Sequence, residues 1–276
     1  MAKLKRLFWD IETSPGIFYA WRCSYRARIT PEQIIREPAI ICICYKWEDE
    51  DDTHSLQWDN GDDRKMVKRF AKVAADADEM VAHNGDRFDL KWFNTRNLLA
   101  GLPPIPKYKT VDTLTMARQH FYLQSNRLDY LGQRMFGSGK LPTGFKLWRQ
   151  VAGDVEAKDD LAASLPLTRD PVALGRMVTY CKNDVLLEEQ VWSQLRDYAP
   201  VATHEGVFAT GNVKMRWTCP YCGAIKVKKS KTKVTASGML QHQMKCKSCY
   251  RYYTIANNVF GWREKWELEQ KIGVTA

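Results

Sequence analysis

No apolar run in the sequence is long enough to cross a membrane. Runs such as Ala39-Ile40-Ile41-Cys42-Ile43-Cys44 stop far short of the roughly 20 residues a spanning helix needs. The basic start, Met1 to Arg6, leads only into Leu7-Phe8-Trp9 before Asp10, with no signal-peptide core behind it. These absences predict an intracellular, cytoplasmic protein with no membrane partner. There is no internal repeat, which excludes a solenoid. His83 and His120 have no partner pattern, so neither is expected to be catalytic. The chain has 276 residues, 45% hydrophobic and 27% charged, which suits one sizeable core plus a small second module.

Acidic balance is missing from the last part of the chain. From Val201 onward there are 13 Lys and Arg against 4 Glu, a balance of +9 within a total of +10. The first 200 residues are therefore close to neutral. A basic module beside a neutral body points to a polyanionic partner, most often nucleic acid. The cysteines divide in the same way. Cys23, Cys42, Cys44 and Cys181 lie in apolar contexts and read as small core residues. Cys219, Cys222, Cys246 and Cys249 form two C-x-x-C pairs, which in a reducing compartment favour a metal over disulfides.

Apolar periodicity predicts strands over 4–13, 17–21, 39–47, 54–58, 80–82 and 108–111, and helices over 63–76 and 87–100. The stretch 138–169 is punctuated by Gly, Pro and Asp-Asp and predicts only short helices. A long helix follows, with Asp170 as N-cap and Pro171 at its first position. Strands first, then strands alternating with helices, argue for a mixed α/β sheet flanked by helices. The expected division is a catalytic domain over 1–200, a linker over 201–212 and a small module over 213–276.

Asp10 and Glu12 are two apart on an apolar strand, so both carboxylates share one face. Two acids there are costly unless a cation neutralises them, and hard divalent cations take oxygen ligands. Asp89 follows a short strand and falls in the first turn of a helix, a place that also suits an acid for the helix dipole alone. Tyr180 and Asp184 are spaced i, i+4 on the long helix and share a face beside its apolar stripe. Asp112 reads as a helix cap.

Asp10-Ile11-Glu12-Thr13 on the first strand, Asn84-x-x-x-Phe88-Asp89 in the middle and Tyr180-Cys181-x-x-Asp184 on a late helix resemble, in order, the three motifs of the DEDD exonucleases. The tyrosine resembles the DEDDy branch, and the wording is most similar to the proofreading domains of family B DNA polymerases. The resemblance covers roughly residues 4–198. It implies a ribonuclease H-like fold and 3′→5′ hydrolysis of phosphodiester bonds with two Mg²⁺ or Mn²⁺ ions. It implies that Asp10 bridges the two, that Glu12 and Asp184 complete the first site, and that Asp89 helps to hold the second. Two cations about 4 Å apart suit an in-line displacement. Tyr180 would orient water rather than deprotonate it, since its ordinary pKa is about 10. Thr13 and Asn84 would meet the terminal nucleotide. No polymerase domain accompanies the motifs.

The two cysteine pairs, 23 residues apart, look like a zinc ribbon with one structural Zn²⁺. An iron–sulfur cluster is the rival. Lys226, Lys228, Lys229, Lys231 and Lys233 would lie on its hairpin among Trp217, Tyr221, Tyr250, Tyr252 and Tyr253. Lysines among aromatics suit single-stranded DNA or RNA. The rival readings are a structure-specific endonuclease, a non-catalytic nucleic-acid-binding or adaptor protein, and a ribbon that docks a replication or repair protein.

Overall fold

The computed structural model describes residues 4–22, 28–105, 109–153, 171–199, 204 and 215–273. Lys5–Leu195 forms one compact unit, and the chain from Arg196 belongs to a second. The expected linker lies outside the described residues, His204 apart, as do Cys23 and the expected cap Asp170.

The first unit is built on a five-stranded mixed sheet. Strands β1 (Arg6–Thr13), β4 (Ile40–Trp47), β5 (His54–Gln57), β6 (Glu79–Ala82) and β7 (Lys109–Asp112) stand in the order β5-β4-β1-β6-β7. The β1–β4 and β4–β5 pairs are antiparallel; β1–β6 and β6–β7 are parallel. The expected strand at 17–21 is shorter. Its β2 (Ile17–Phe18) pairs with β3 (Ile34–Arg36) in a separate ribbon, outside the main sheet.

β1 is central, and its two faces do different work. Trp9 stacks on Phe70 of α1 (Arg64–Ala75) and meets Phe93 of α2 (Asp89–Leu99) edge-on. On the other face Phe8 meets Trp192 of α6 (Pro171–Leu195). Period two therefore sends Asp10 and Glu12 toward α6, not into the α1–α2 layer. Between β7 and α6 come α3 (Thr113–His120), α4 (Leu128–Phe136) and α5 (Phe145–Val151). Asp112 caps α3, accepting from the Thr115 amide at 3.1 Å, as its position predicts. No described helix is long and apolar enough to cross a membrane.

In the second unit β8 (Val227–Val234), β9 (Leu240–Cys246) and β10 (Tyr252–Ala256) form an antiparallel sheet, followed by α7 (Asn257–Gly273). Its core is Trp217, Val227, Met244, Tyr253, Ile255 and Phe260, with Trp266 against Trp217.

Candidate active site and metal centres

Carboxylate oxygens of Asp10, Glu12 and Asp184 lie within 4.8 Å of one another, so these residues could hold a metal ion. The first two come from the central strand and the third from the middle of α6, where it is buried. Asp89 joins them from the start of α2. Its Oδ1 accepts from the Ile11 amide at 3.2 Å, which ties it to the strand that carries the other acids. The turn that delivers it is tight. Asn84 sits at φ +69°, its amide donating to Asp112 Oδ1. A Cβ on Gly85 would fall 2.3 Å from that of Ala82, so only glycine fits there.

The electrostatics follow from the packing. Burial, then Asp89, Asp184 and Glu12, push the Asp10 carboxyl well above its usual range. Burial and Asp184 raise Glu12 to about 8, and burial raises Asp89 to about 7. Burial likewise raises Asp184, with Lys140 opposing. A cluster of this kind keeps protons until a cation replaces them. Burial and Asp184 hold the Tyr180 hydroxyl up at about 12, so near neutral pH it is a hydrogen-bond donor and not a base.

Several residues at the site escape the sequence reading. Lys140, in the loop between α4 and α5, places Nζ 2.6 Å from Asp184 Oδ2 and 3.3 Å from the Tyr180 hydroxyl. Burial works against its charge, but Asp184 and Asp10 outweigh that and raise its pKa. Trp148 of α5 donates from Nε1 to Glu12 Oε2 at 3.2 Å and meets the Tyr180 ring edge-on. The Cys181 thiol contacts Asp10 Oδ2 at 3.4 Å and groups with Cys42 and Cys44, all three buried. Glu188 is buried and its Oε1 has no partner among the described residues. Burial and then Asp89, Asp112 and Asp184 raise it well above the carboxylate range. Its signal was readable, since Tyr180, Asp184 and Glu188 continue one i, i+4 row.

Thr13 and Trp148 line a cleft of about 430 Å³ with Ser14, Pro15 and Phe145. Asn84 and His83 line another, of about 560 Å³, together with Arg118, Arg127 and Lys140. Burial, and Lys140 with it, lowers His83 to about 4, and its Nδ1 lies 2.9 Å from Thr113 Oγ1, which suits a neutral packed histidine.

In the second unit the sulfurs of Cys219, Cys222, Cys246 and Cys249 lie within 4.8 Å of one another and could hold a metal such as zinc. Cys219 and Cys249 are 3.6 Å apart, Cys222 and Cys246 3.7 Å. The amides of Ser248 and Cys249 point at Cys246 Sγ, at 3.3 and 3.5 Å. Each knuckle turns through a left-handed residue, Gly223 at φ +69° and Tyr250 at φ +63°. Amides aimed at a sulfur and four converging thiols fit a tetrahedral ion with no open position. Among the hairpin lysines, Lys228, Lys231 and Lys233 share one face of the sheet. Lys229 is on the other, with Nζ 4.7 Å from the Phe260 ring centroid.

No family model matches the chain, and no curated protein matches it. Among solved structures, the family B DNA polymerase of the hyperthermophilic archaeon Pyrobaculum calidifontis aligns at 15% identity with a TM-score of 0.47. The alignment covers 84% of this chain and 31% of that one, so the chain spans under a third of the polymerase's length.

Proposed function

We propose that this chain is a divalent-metal-dependent 3′→5′ exonuclease of the DEDDy type, acting on single-stranded nucleic acid, DNA in preference, with a zinc ribbon that holds the substrate. The observation that carries the reading is the convergence of Asp10, Glu12 and Asp184 oxygens within 4.8 Å, with Asp89 bonded to the same strand. The sheet order β5-β4-β1-β6-β7, with β4 alone running against the other four strands, supports a ribonuclease H-like fold.

The chemistry of the donors fits hard cations. Asp10, Glu12 and Asp184 would hold one, and Asp10 with Asp89 a second. Divalent cations bound there supply Lewis acidity for phosphodiester hydrolysis. The remaining work belongs to side chains. Tyr180, protonated near neutral pH, donates a hydrogen bond that orients the attacking water. Lys140 supplies positive charge beside Asp184 and Tyr180, where a phosphate would bring negative charge. Trp148 fixes the Glu12 carboxylate and walls the Thr13 cleft. Thr13 and Asn84, one in each cleft, would meet the terminal nucleotide.

The test is digestion of 5′-labelled single-stranded DNA and RNA with Mg²⁺ or Mn²⁺. A ladder shortening from the 3′ end is expected. Asp10→Ala should slow it by about a thousandfold, the equivalent of about 4 kcal/mol of barrier. Cleavage of a closed circle at a comparable rate would favour an endonuclease. No cleavage of any strand, with binding retained, would sink the catalytic reading.

A further inference from the structure

The cross-strand register of the ribbon sorts its side chains into two faces. In an antiparallel ladder directly opposed residues point the same way. Val227 opposes Cys246, Lys229 opposes Met244, and Thr232 opposes His242. Tyr253 opposes Met244, and Ile255 opposes His242. This face is the core of the unit, covered by Phe260 of α7. The other face is made of three rows. Lys228, Lys245 and Tyr252 form the first; Lys231, Gln243 and Thr254 the second; Lys233, Gln241 and Ala256 the third. These nine residues include four lysines and no acid.

Two features set this face apart from an ordinary solvated surface. Lys228 and Lys245 are directly opposed on neighbouring strands. Like charges in that position cost stability, and nothing in the fold requires them. Lysine and tyrosine are also interleaved. Lys245 Nζ sits 5.2 Å from the Tyr252 ring centroid and 6.0 Å from that of Tyr250, and both rings are exposed. Cations in rows with an exposed ring at one end match alternating phosphates and bases.

We infer that the outer face of the ribbon sheet is the nucleic-acid surface of this module, with Lys228, Lys231, Lys233 and Lys245 on phosphates and Tyr252 stacking on a base. Lys229 is not part of it. A β-bulge shifts the register between Lys229 and Lys231 and so turns Lys229 to the core side. The occupant is a single strand, because a ring can stack only on an unpaired base. This deepens the proposed function by naming the surface that would hold its substrate, and it does not depend on the chemistry at Asp10.

The experiment uses the full zinc-loaded chain in an Asp10→Ala background, which spares the probe. Anisotropy of a labelled oligothymidylate is followed as salt is raised. The pair Lys231→Gln with Lys233→Gln is compared with the charge-matched pair Lys229→Gln with Lys265→Gln, each checked for wild-type zinc content. The outer pair should weaken binding at least tenfold and reduce the log–log salt slope by about 1.4, the value for two phosphates on a single strand. The matched pair should stay within about twofold, as net charge without contact contributes little. Lys231→Arg with Lys233→Arg, which keeps both charges, should bind like the parent. Tyr252→Ala should cost about fivefold or more with the salt slope unchanged. Equal losses from both pairs, or none from either, would overturn the assignment, as would a Tyr252→Ala variant that binds like its parent. Failure of the exonuclease reading would appear separately, as a wild-type chain that binds oligonucleotide and leaves it intact.

Discussion

Lys140 stands where a cation is needed. Its ammonium bridges Asp184 and Tyr180 in a site whose acids would otherwise repel one another. Without added metal it is the counter-charge that opposes the rise burial imposes on the Asp184 carboxyl. Lys140→Met should therefore destabilise the protein before metal is added, by about 1–2 kcal/mol once its partial exposure is allowed for. Saturating Mn²⁺ should remove most of that difference. Thermal melts of both proteins, with and without Mn²⁺, would measure it; an equal loss in both conditions would mean that Lys140 serves packing alone. Residue by residue, legibility tracked local pattern. Asp10 and Glu12 were readable because two acids at period two in an apolar strand are costly to bury unless a cation meets them. Asp89 and Asp184 were readable only together with them, since either acid alone has an ordinary place on a helix. Lys140 and Trp148 were not, because a loop has no periodicity to say where its side chains point.

At the scale of elements, α6 could be read from its stripe, and its contact with β1 then sets Asp184 opposite Asp10. The strands around 39–47 and 80–82 were readable for the same reason, as continuous apolar runs that end in polar turns. β2 carries no alternation, and its departure from the main sheet had no sequence signal. The hairpin was predicted in outline from its cysteines, but its lysines could not be sorted. At plain alternation Lys229, Lys231 and Lys233 would share a face; one extra residue in β8 replaces Lys229 with Lys228. The knuckles carry a prediction of their own. Burial leads the forces that push the Cys219 thiol up, so four thiolates at this spacing need a cation to hold them. The four cysteines could hold zinc, and Cys222→Ser should then abolish zinc uptake and expose β8 and β9 to proteolysis, while Lys5–Leu195 keeps its resistance. Metal analysis with limited digestion would read both. Full zinc occupancy in the variant, or an iron signal in the parent, would remove zinc from the ribbon.

At the scale of the molecule, proton binding couples the acid cluster to stability. Glu12 and Asp89 have folded pKa values of about 8 and about 7, above the ordinary carboxylate range. A raised carboxyl favours the fold while it is protonated. That contribution is complete below the unfolded pKa and is lost as pH rises through the folded one. His83 runs the other way. Held near 4 in the fold, it favours the fold above its ordinary value of about 6.5 and loses that contribution in acid. Above about pH 6.5 its contribution is constant. The Cys44 thiol, drawn down to about 5 by hydrogen bonds with Cys181 and Cys42, gains stability with pH there, and the more numerous raised carboxyls of Asp10, Glu12, Asp89 and Glu188 outweigh it. Without added Mg²⁺ or Mn²⁺, and with zinc retained, stability should fall between about pH 6.5 and 8.5. The limit is about 1.4 kcal/mol per pH unit for each proton released. Divalent cations bind the ionised acids, so they should flatten the fall and stabilise most at the alkaline end. Glu12→Gln should make the fall shallower without any cation, by up to about 1.4 kcal/mol per pH unit. Denaturant titrations across that range would decide. A metal-free stability that stays level or rises toward pH 8.5 would mean that the four carboxylates do not titrate as one group, and the case for a shared cation site would fall with it.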